Sequence, residues 1–257
     1  MSTLYTTENL KGVFKFPFKD EEWPAKLVIL FLMYFGSFLI VPIFFTAGYQ
    51  YEIMRRIIVD REEPSLPEWA DWGGLFKNGA KYWGVTLIYF LPLFALFIIA
   101  FGLIVLVGIG IGSVDQTSQM LPFFFLILLF LWSLVGTISF NAMSIIIIAA
   151  SGHMIAKGEF AAAFRFKEWW PVFKKNLWGF VIAMLILQGF SYLIAFVGQF
   201  LLLTFFLACL YPFLIGFAAI YIAMVFSALY AQAYVEGVEK MAESSAHPAS
   251  GLPQLPQ

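Results

Sequence analysis

The sequence predicts an all-α, polytopic membrane helix bundle: about five transmembrane helices, two amphipathic interfacial segments and a parallel internal repeat. Three observations predict it. The 257-residue chain is 61% hydrophobic and 12% charged, whereas soluble domains carry about 45–50% apolar and about 25% charged residues. It therefore lacks the polar surface to cover itself in water. Its charges are also confined, since 27–51, 82–114, 116–156 and 176–235 contain no Asp, Glu, Lys or Arg. Finally, seven of the eight Trp residues lie at or just outside the spans those blocks define. Indole rings favour that headgroup zone because their bodies are apolar and their N–H groups need a partner.

Taken in order, residues 1–25 read as an interfacial tail. They are polar and mixed in charge, unlike a cleaved signal, and the aromatic run 13–19 is expected to rest on the outer surface. A spanning helix needs about 20 apolar residues, because about 30 Å of hydrocarbon is crossed at 1.5 Å per residue. The first charge-free block holds one such span, 26–47. The second holds 83–110 and the third 121–149. The last block is too long for one helix and is divided near Tyr211-Pro212, giving 177–203 and 210–235. The Ser/Ala/Pro-rich end, within 237–257, reads as disordered tail.

Orientation follows from Lys and Arg. Loop 48–82 carries Arg55, Arg56, Arg61, Lys77 and Lys81, and loop 150–176 carries Lys157, Arg165, Lys167, Lys174 and Lys175. Two spans separate them, so they share a side, and the positive-inside rule makes that side cytoplasmic. Five spans then put the C-terminus inside and the N-terminal tail outside. Eleven cations agree with this arrangement, and Lys11, Lys15, Lys19 and Lys26 oppose it.

A shift of 97 positions lays 56–77 on 153–174 without a gap. Ile58 meets Ile155, Glu62 meets Glu159, Trp72 meets Trp169, and Phe76-Lys77 meets Phe173-Lys174. The shift moves the chain by two spans, so both copies keep one orientation, as in parallel membrane repeats.

Within loop 48–82, Gly48-Tyr49, Arg55-Arg56-Ile57, Leu66-Pro67-Glu68-Trp69, Asp71-Trp72, Leu75-Phe76 and Gly79 resemble the signature of a prokaryotic multi-pass membrane family, domain of unknown function 4013. The resemblance is best over the first two spans and their loop. It implies residence in the cytoplasmic (inner) membrane of a prokaryote and no assigned activity. More loosely, the interfacial-segment repeat is similar to the membrane domain of some glycerophosphodiester phosphodiesterases, but without residues of their catalytic domain.

Candidate chemistry is sparse. Glu68 and Asp71 could share a helix face as a carboxylate pair, but acids there read better as a helix start and its cap. His153 could titrate or bind a metal, yet the second His lies in the tail, which leaves no metal cluster. Gly108, Gly110 and Gly112 suit close helix packing. Ser133, Thr137, Asn141 and Ser144 form a polar stripe, and Gln188, Tyr192 and Gln199 share a face. Helix–helix hydrogen bonding is the favoured reading, with an intramembrane polar path through Asn141, Gln188 and Gln199 as the alternative. No ionisable acid or base lies inside a span, which argues against ion-coupled carriers and intramembrane hydrolases.

The expectation is a non-enzymatic scaffold or accessory subunit without a cofactor. It would interact with membrane lipids, a protein partner or a second copy, and not with nucleic acid, since a net charge of −1 gives no attraction to it. The interaction surface would be Arg55, Arg56, Glu68, Trp69, Asp71, Trp72, Trp169 and Trp170. The alternative is a facilitator or permease component for a small neutral or lipidic solute.

Overall fold

The computed structural model describes residues 6–112, 120–203 and 208–246. These are almost all helical, the first loop's 61–71 being the longest irregular stretch, with no strand among the described residues. The chain divides into two compact units, 84–147 and a second formed by 1–83 with 148–257. Four helices are long and apolar enough to cross a membrane: α4 (Trp72–Gly112), α5 (Met120–Lys157), α7 (Leu177–Leu203) and α8 (Tyr211–Ala246). The spans predicted at 83–110, 121–149, 177–203 and 210–235 fall on them.

The predicted span 26–47 is not one helix. Its place is taken by α2 (Trp23–Phe35), a 3-10 turn at Gly36–Leu39 and α3 (Val41–Arg55). Gly36-Ser37 weakens the helix, and Pro42, in the first turn of α3, removes an amide donor. Between them Ile40 takes φ 68°, ψ −49°, near the strained γ-turn that a β-branched residue seldom adopts. The chain reverses there. α2 and α3 pack on each other, and Lys26 at the base of α2 meets Glu68 beyond the base of α3. Both arms therefore start and finish at the same end. The tip is bare and apolar, with Phe38 81% exposed. Phe44, three residues into α3, stacks edge-on to Trp83, the residue where the charge-free span of α4 begins. A fifth crossing would require α1 (Thr7–Lys15), extended to Phe18, and α2, extended to Leu39, to act as one span, but they are bent by 79°.

This unit is built around α8, whose Ala228, Leu229, Tyr230, Ala231 and Ala233 are fully buried. α7, α3, α6 (Phe166–Lys175), α2 and α1 all pack on it. α1 is no free tail: Thr6 caps it, Val13 and Phe16 are buried, and the Tyr221 hydroxyl donates to the Phe14 carbonyl at 2.8 Å. The N-terminal segment therefore does not lie apart from the basic loops, as five full crossings would require. Of the predicted disordered tail 237–257, residues up to Ala246 continue α8, and 247–257 lie outside the described residues.

In the unit 84–147, α4 and α5 run antiparallel. Phe90 stacks on Phe140 at 4.8 Å, and Trp132 lies against Phe97 and Phe101 at 5.6 and 5.1 Å. Gly136 sits beneath Phe97 and Gly108 beneath Phe125, so small residues seat large rings. The outward residues, such as Leu96, Ile98, Phe130 and Ile138, are apolar and exposed, the surface expected of a solvent of lipid tails.

Candidate functional site

The first loop is held from both sides. Gly48 of α3 meets the backbone of Leu75, and Gly79 of α4 meets the backbone of Phe44. The absence of side chains there lets two helices touch through their main chains. Tyr49 stacks on Trp69 at 4.8 Å and donates to the Pro67 carbonyl at 3.0 Å, and Trp69 in turn lies 5.1 Å from Trp72. Five residues of π-helix at Arg56–Asp60 end α3, and Arg61 closes them in the left-handed region (φ 59°). From that turn Arg56 donates to the Ser65 hydroxyl and the Leu66 carbonyl, at 3.2 and 3.4 Å.

The candidate charges of this loop are mostly spoken for. Arg55 grips Glu52 at 2.8 Å and Asp60 at 3.1 Å. Lys26, almost fully buried, is paired with both Asp20 and Glu68, and its ammonium holds the Asp20 carboxyl below the usual carboxylate range. Asp71 accepts from the Gly74 amide at 2.8 Å and caps α4. Glu68 and Asp71 therefore act as an ion-pair partner and a helix cap, without convergence on a shared ligand. A cleft of about 230 Å³ beside them is lined by Glu52, Arg56, Glu68, Asp71 and Asn78.

The second loop repeats the plan with different chemistry. Ile57-Ile58 and Met154-Ile155 are buried in corresponding positions, as are Leu75 and Val172. Where Arg56 ties back the first loop, His153 ties back the second. Its Nε2 lies 3.1 Å from Glu168 and its Nδ1 2.9 Å from the Tyr234 hydroxyl. A carboxylate can only accept, so Nε2 carries the proton and, in the neutral ring, Nδ1 accepts from Tyr234. The His153 hydrogen bond, with Arg165 and Lys157 nearby, holds the Glu168 carboxyl below its ordinary value. The three residues join α5, α6 and α8. Among the described residues no group of three His, Cys, Asp or Glu could hold a metal ion.

Trp169 is fully buried and donates to the Ala163 carbonyl at 2.9 Å. It belongs to the core and not to an interaction surface, because α8 covers the face of α6 that carries it. Trp170 stays half-buried, stacked on Phe166 with Lys174 over its ring at 5.5 Å. Trp72 is exposed.

Sequence reasoning passed over Asn176. It is buried, donates to the Ala233 carbonyl at 2.7 Å and to Glu236 at 3.1 Å, and accepts from Lys240 at 2.8 Å. It interrupts the helix between α6 and α7 where the first copy runs unbroken into α4. Its signal was an amide at the charged edge of an apolar block.

The polar stripe of α5 bonds to its own helix. Thr137 donates to Ser133 O, Asn141 to Thr137 O and Ser144 to Phe140 O, at 2.9, 2.8 and 2.8 Å. Helix–helix bonding is therefore not what these groups do. On α7, Gln188 is half-buried, while Tyr192 and Gln199 on the same face are exposed, so that face looks outward.

The sequence pattern of a protein family of unknown function, DUF4013, matches residues 35–203. No curated protein and no solved structure matches the chain.

Proposed function

The chain belongs to the DUF4013 family, whose function is unknown, and from its membrane architecture we propose that it is a non-enzymatic scaffold of the prokaryotic cytoplasmic membrane. Its charge-bearing body would rest at the headgroups of the inner leaflet. One observation carries this reading. All fifteen Lys and Arg fall in the unit 1–83 with 148–257 and none in 84–147. Within that unit, ion pairs and hydrogen bonds draw the charged segments together. Lys26–Glu68 joins the N-terminal segment to the first loop, Arg61–Glu239 joins that loop to the C-terminal end of α8, and Lys175–Ser244 joins the second loop to it.

With α2 and α3 as a re-entrant hairpin, the four cations that opposed the positive-inside vote change sides and join the other eleven. The N-terminal segment, both loops and the C-terminal end of α8 then face the cytoplasm, and the bare tip at Phe38 enters the leaflet. A cation left unpaired near the surface would add about 1 kcal/mol of attraction to anionic lipid, against the fifteen Asp and Glu of the same unit. No cofactor or chemistry is assigned to the site. The hydrogen-bonded His153–Glu168 pair, with Tyr234, clamps three helices. The facilitator reading draws no support from Gln188 and Gln199, whose shared face looks outward.

Cysteine labelling tests the topology. In a Cys209→Ser background, Lys11→Cys, Glu63→Cys and Glu243→Cys should all react with an impermeant maleimide only in inverted vesicles. Labelling of Lys11→Cys from the opposite side would overturn the hairpin topology. The scaffold role is tested by copurification in mild detergent, where anionic lipid or a protein partner should remain bound. Recovery of the chain with neither, beyond bulk composition, would refute it.

A further inference from the structure

We propose that the groove between the α2–α3 hairpin and α8 is a binding site for one uncharged amphiphile of the diacylglycerol class. The inference rests on the placement of the hairpin in lipid and not on the scaffold role. The groove holds about 270 Å³, at the small end of ligand cavities. This is room for a compact head and the start of a chain. α8 leaves this space by presenting Ala219 and Ala223 one turn apart, where larger side chains would close it. Leu30, Ile43, Ile220 and Met224 make its apolar walls.

The polar groups lining it are all uncharged. Gln50 stands near the base, with Thr46 one turn closer to the tip, and Ser37 and Tyr34 stand near the tip. Among the described residues, the Gln50 amide and the Tyr34 hydroxyl have no hydrogen-bond partner. Thr46 and Ser37 donate to the Ile43 and Met33 carbonyls at 2.9 Å each, so their oxygens remain able to accept. An unpaired amide in an apolar groove is costly unless a ligand or water satisfies it. A glycerol hydroxyl donates and accepts, and an ester carbonyl accepts, so a neutral diacylglycerol head matches this set.

Charge complementarity excludes an ionic head. The groove carries no cation, and Lys26, one turn before Leu30 on α2, is already paired with Asp20 and Glu68. A phosphate there would face two carboxylates. The approach is apolar, since Leu32, Phe38 and Leu39 of the hairpin are exposed, so the ligand would arrive from the hydrocarbon.

The test is photolabelling of the full chain in phosphatidylcholine vesicles with a diazirine-bearing diacylglycerol, mapped by mass spectrometry. Label should concentrate on groove residues of α2, α3 and α8. Excess dioleoylglycerol should compete it away, and dioleoylphosphatidate should not. Ala223→Phe should abolish the groove label by filling the space. Gln50→Leu, which keeps the volume, should weaken competition by about five- to tenfold, the factor of one hydrogen bond. Ala195→Phe, on the exposed face of α7, should change nothing. Label spread evenly over exposed apolar faces and indifferent to Ala223→Phe would overturn the site, as would equal competition by the phosphatidate. A chain that copurifies with no partner and no anionic lipid yet keeps this label would refute the scaffold and leave the site standing.

Discussion

Replacing Gly48 or Gly79 by alanine should loosen the seat of the α2–α3 hairpin against α4. A Cβ on Gly48 would lie 2.6 Å from the Leu75 carbonyl carbon, and one on Gly79 would lie 2.6 Å from the Gly48 nitrogen. The Leu75 and Phe44 carbonyl oxygens lie nearer still, and ordinary contacts begin at 3.4 Å, so α3 and α4 would have to part by well over 1 Å and lose much of their dispersion contact. The obstructing atoms are backbone and have no rotamer to escape into. Overpacking of this kind costs about 1–3 kcal/mol. Gly102 supplies the contrast, because nothing lies within 4 Å of its Cβ position and alanine there gains about 0.8–1 kcal/mol of helix propensity. The same chemical change thus has opposite signs at two sites, separated by about 2–4 kcal/mol. Thermal unfolding in detergent, followed by circular dichroism, should place Gly48→Ala and Gly79→Ala about 5 °C or more below Gly102→Ala. If all three melt together, the main-chain crossing of α3 and α4 is refuted.

Three further outcomes follow from the polar clusters. Asn176→Leu should cost about 2–4 kcal/mol in denaturant unfolding, because buried Glu236 and the Ala233 carbonyl lose their donor. A cost below that of an exposed Leu177→Ala would count against the cluster. Glu168 has a depressed folded-state pKa, so its stabilisation is present above the ordinary carboxylate value and is lost as pH falls through the depressed one. Glu168→Gln should therefore lower the melting temperature at pH 7 and converge with wild type in acid; a gap independent of pH would contradict the linkage. Lys26→Met should leave Asp20 and Glu68 repelling each other and free the first loop, speeding its cleavage at Glu62-Glu63 by a glutamate-specific protease. Unchanged cleavage would mean that the ion pairs do not hold the loop.

The contrast between α7 and the hairpin marks how far the sequence could be read. α7 coincides with the predicted 177–203, and Tyr211-Pro212 opens α8 where the last block was divided. Both follow from local terms: residues with no charge, a length set by the bilayer, and a proline that has no amide hydrogen. Asp71 likewise caps α4 as its position before the helix suggested. The reversal at Gly36–Val41 was written in the same alphabet, in Gly36-Ser37 and Pro42. A length criterion alone read 26–47 as one span, because each arm was apolar.

The sequence by itself determined that this chain is a helical membrane protein of the DUF4013 family, which four apolar stretches lie within its long helices, and that most of its Lys and Arg are shared between two loops. These properties depend on composition and on spacing along one chain. Only the tertiary structure decided that the first apolar block folds back, that Trp169 is core, and that His153, Glu168 and Tyr234 meet. It also decided that the polar face of α7 looks outward. Each of those depends on which residues distant in the chain come within a few ångströms of one another. Lys26 against Glu68 and Gly48 against Leu75 are contacts between segments that carry no local mark of each other.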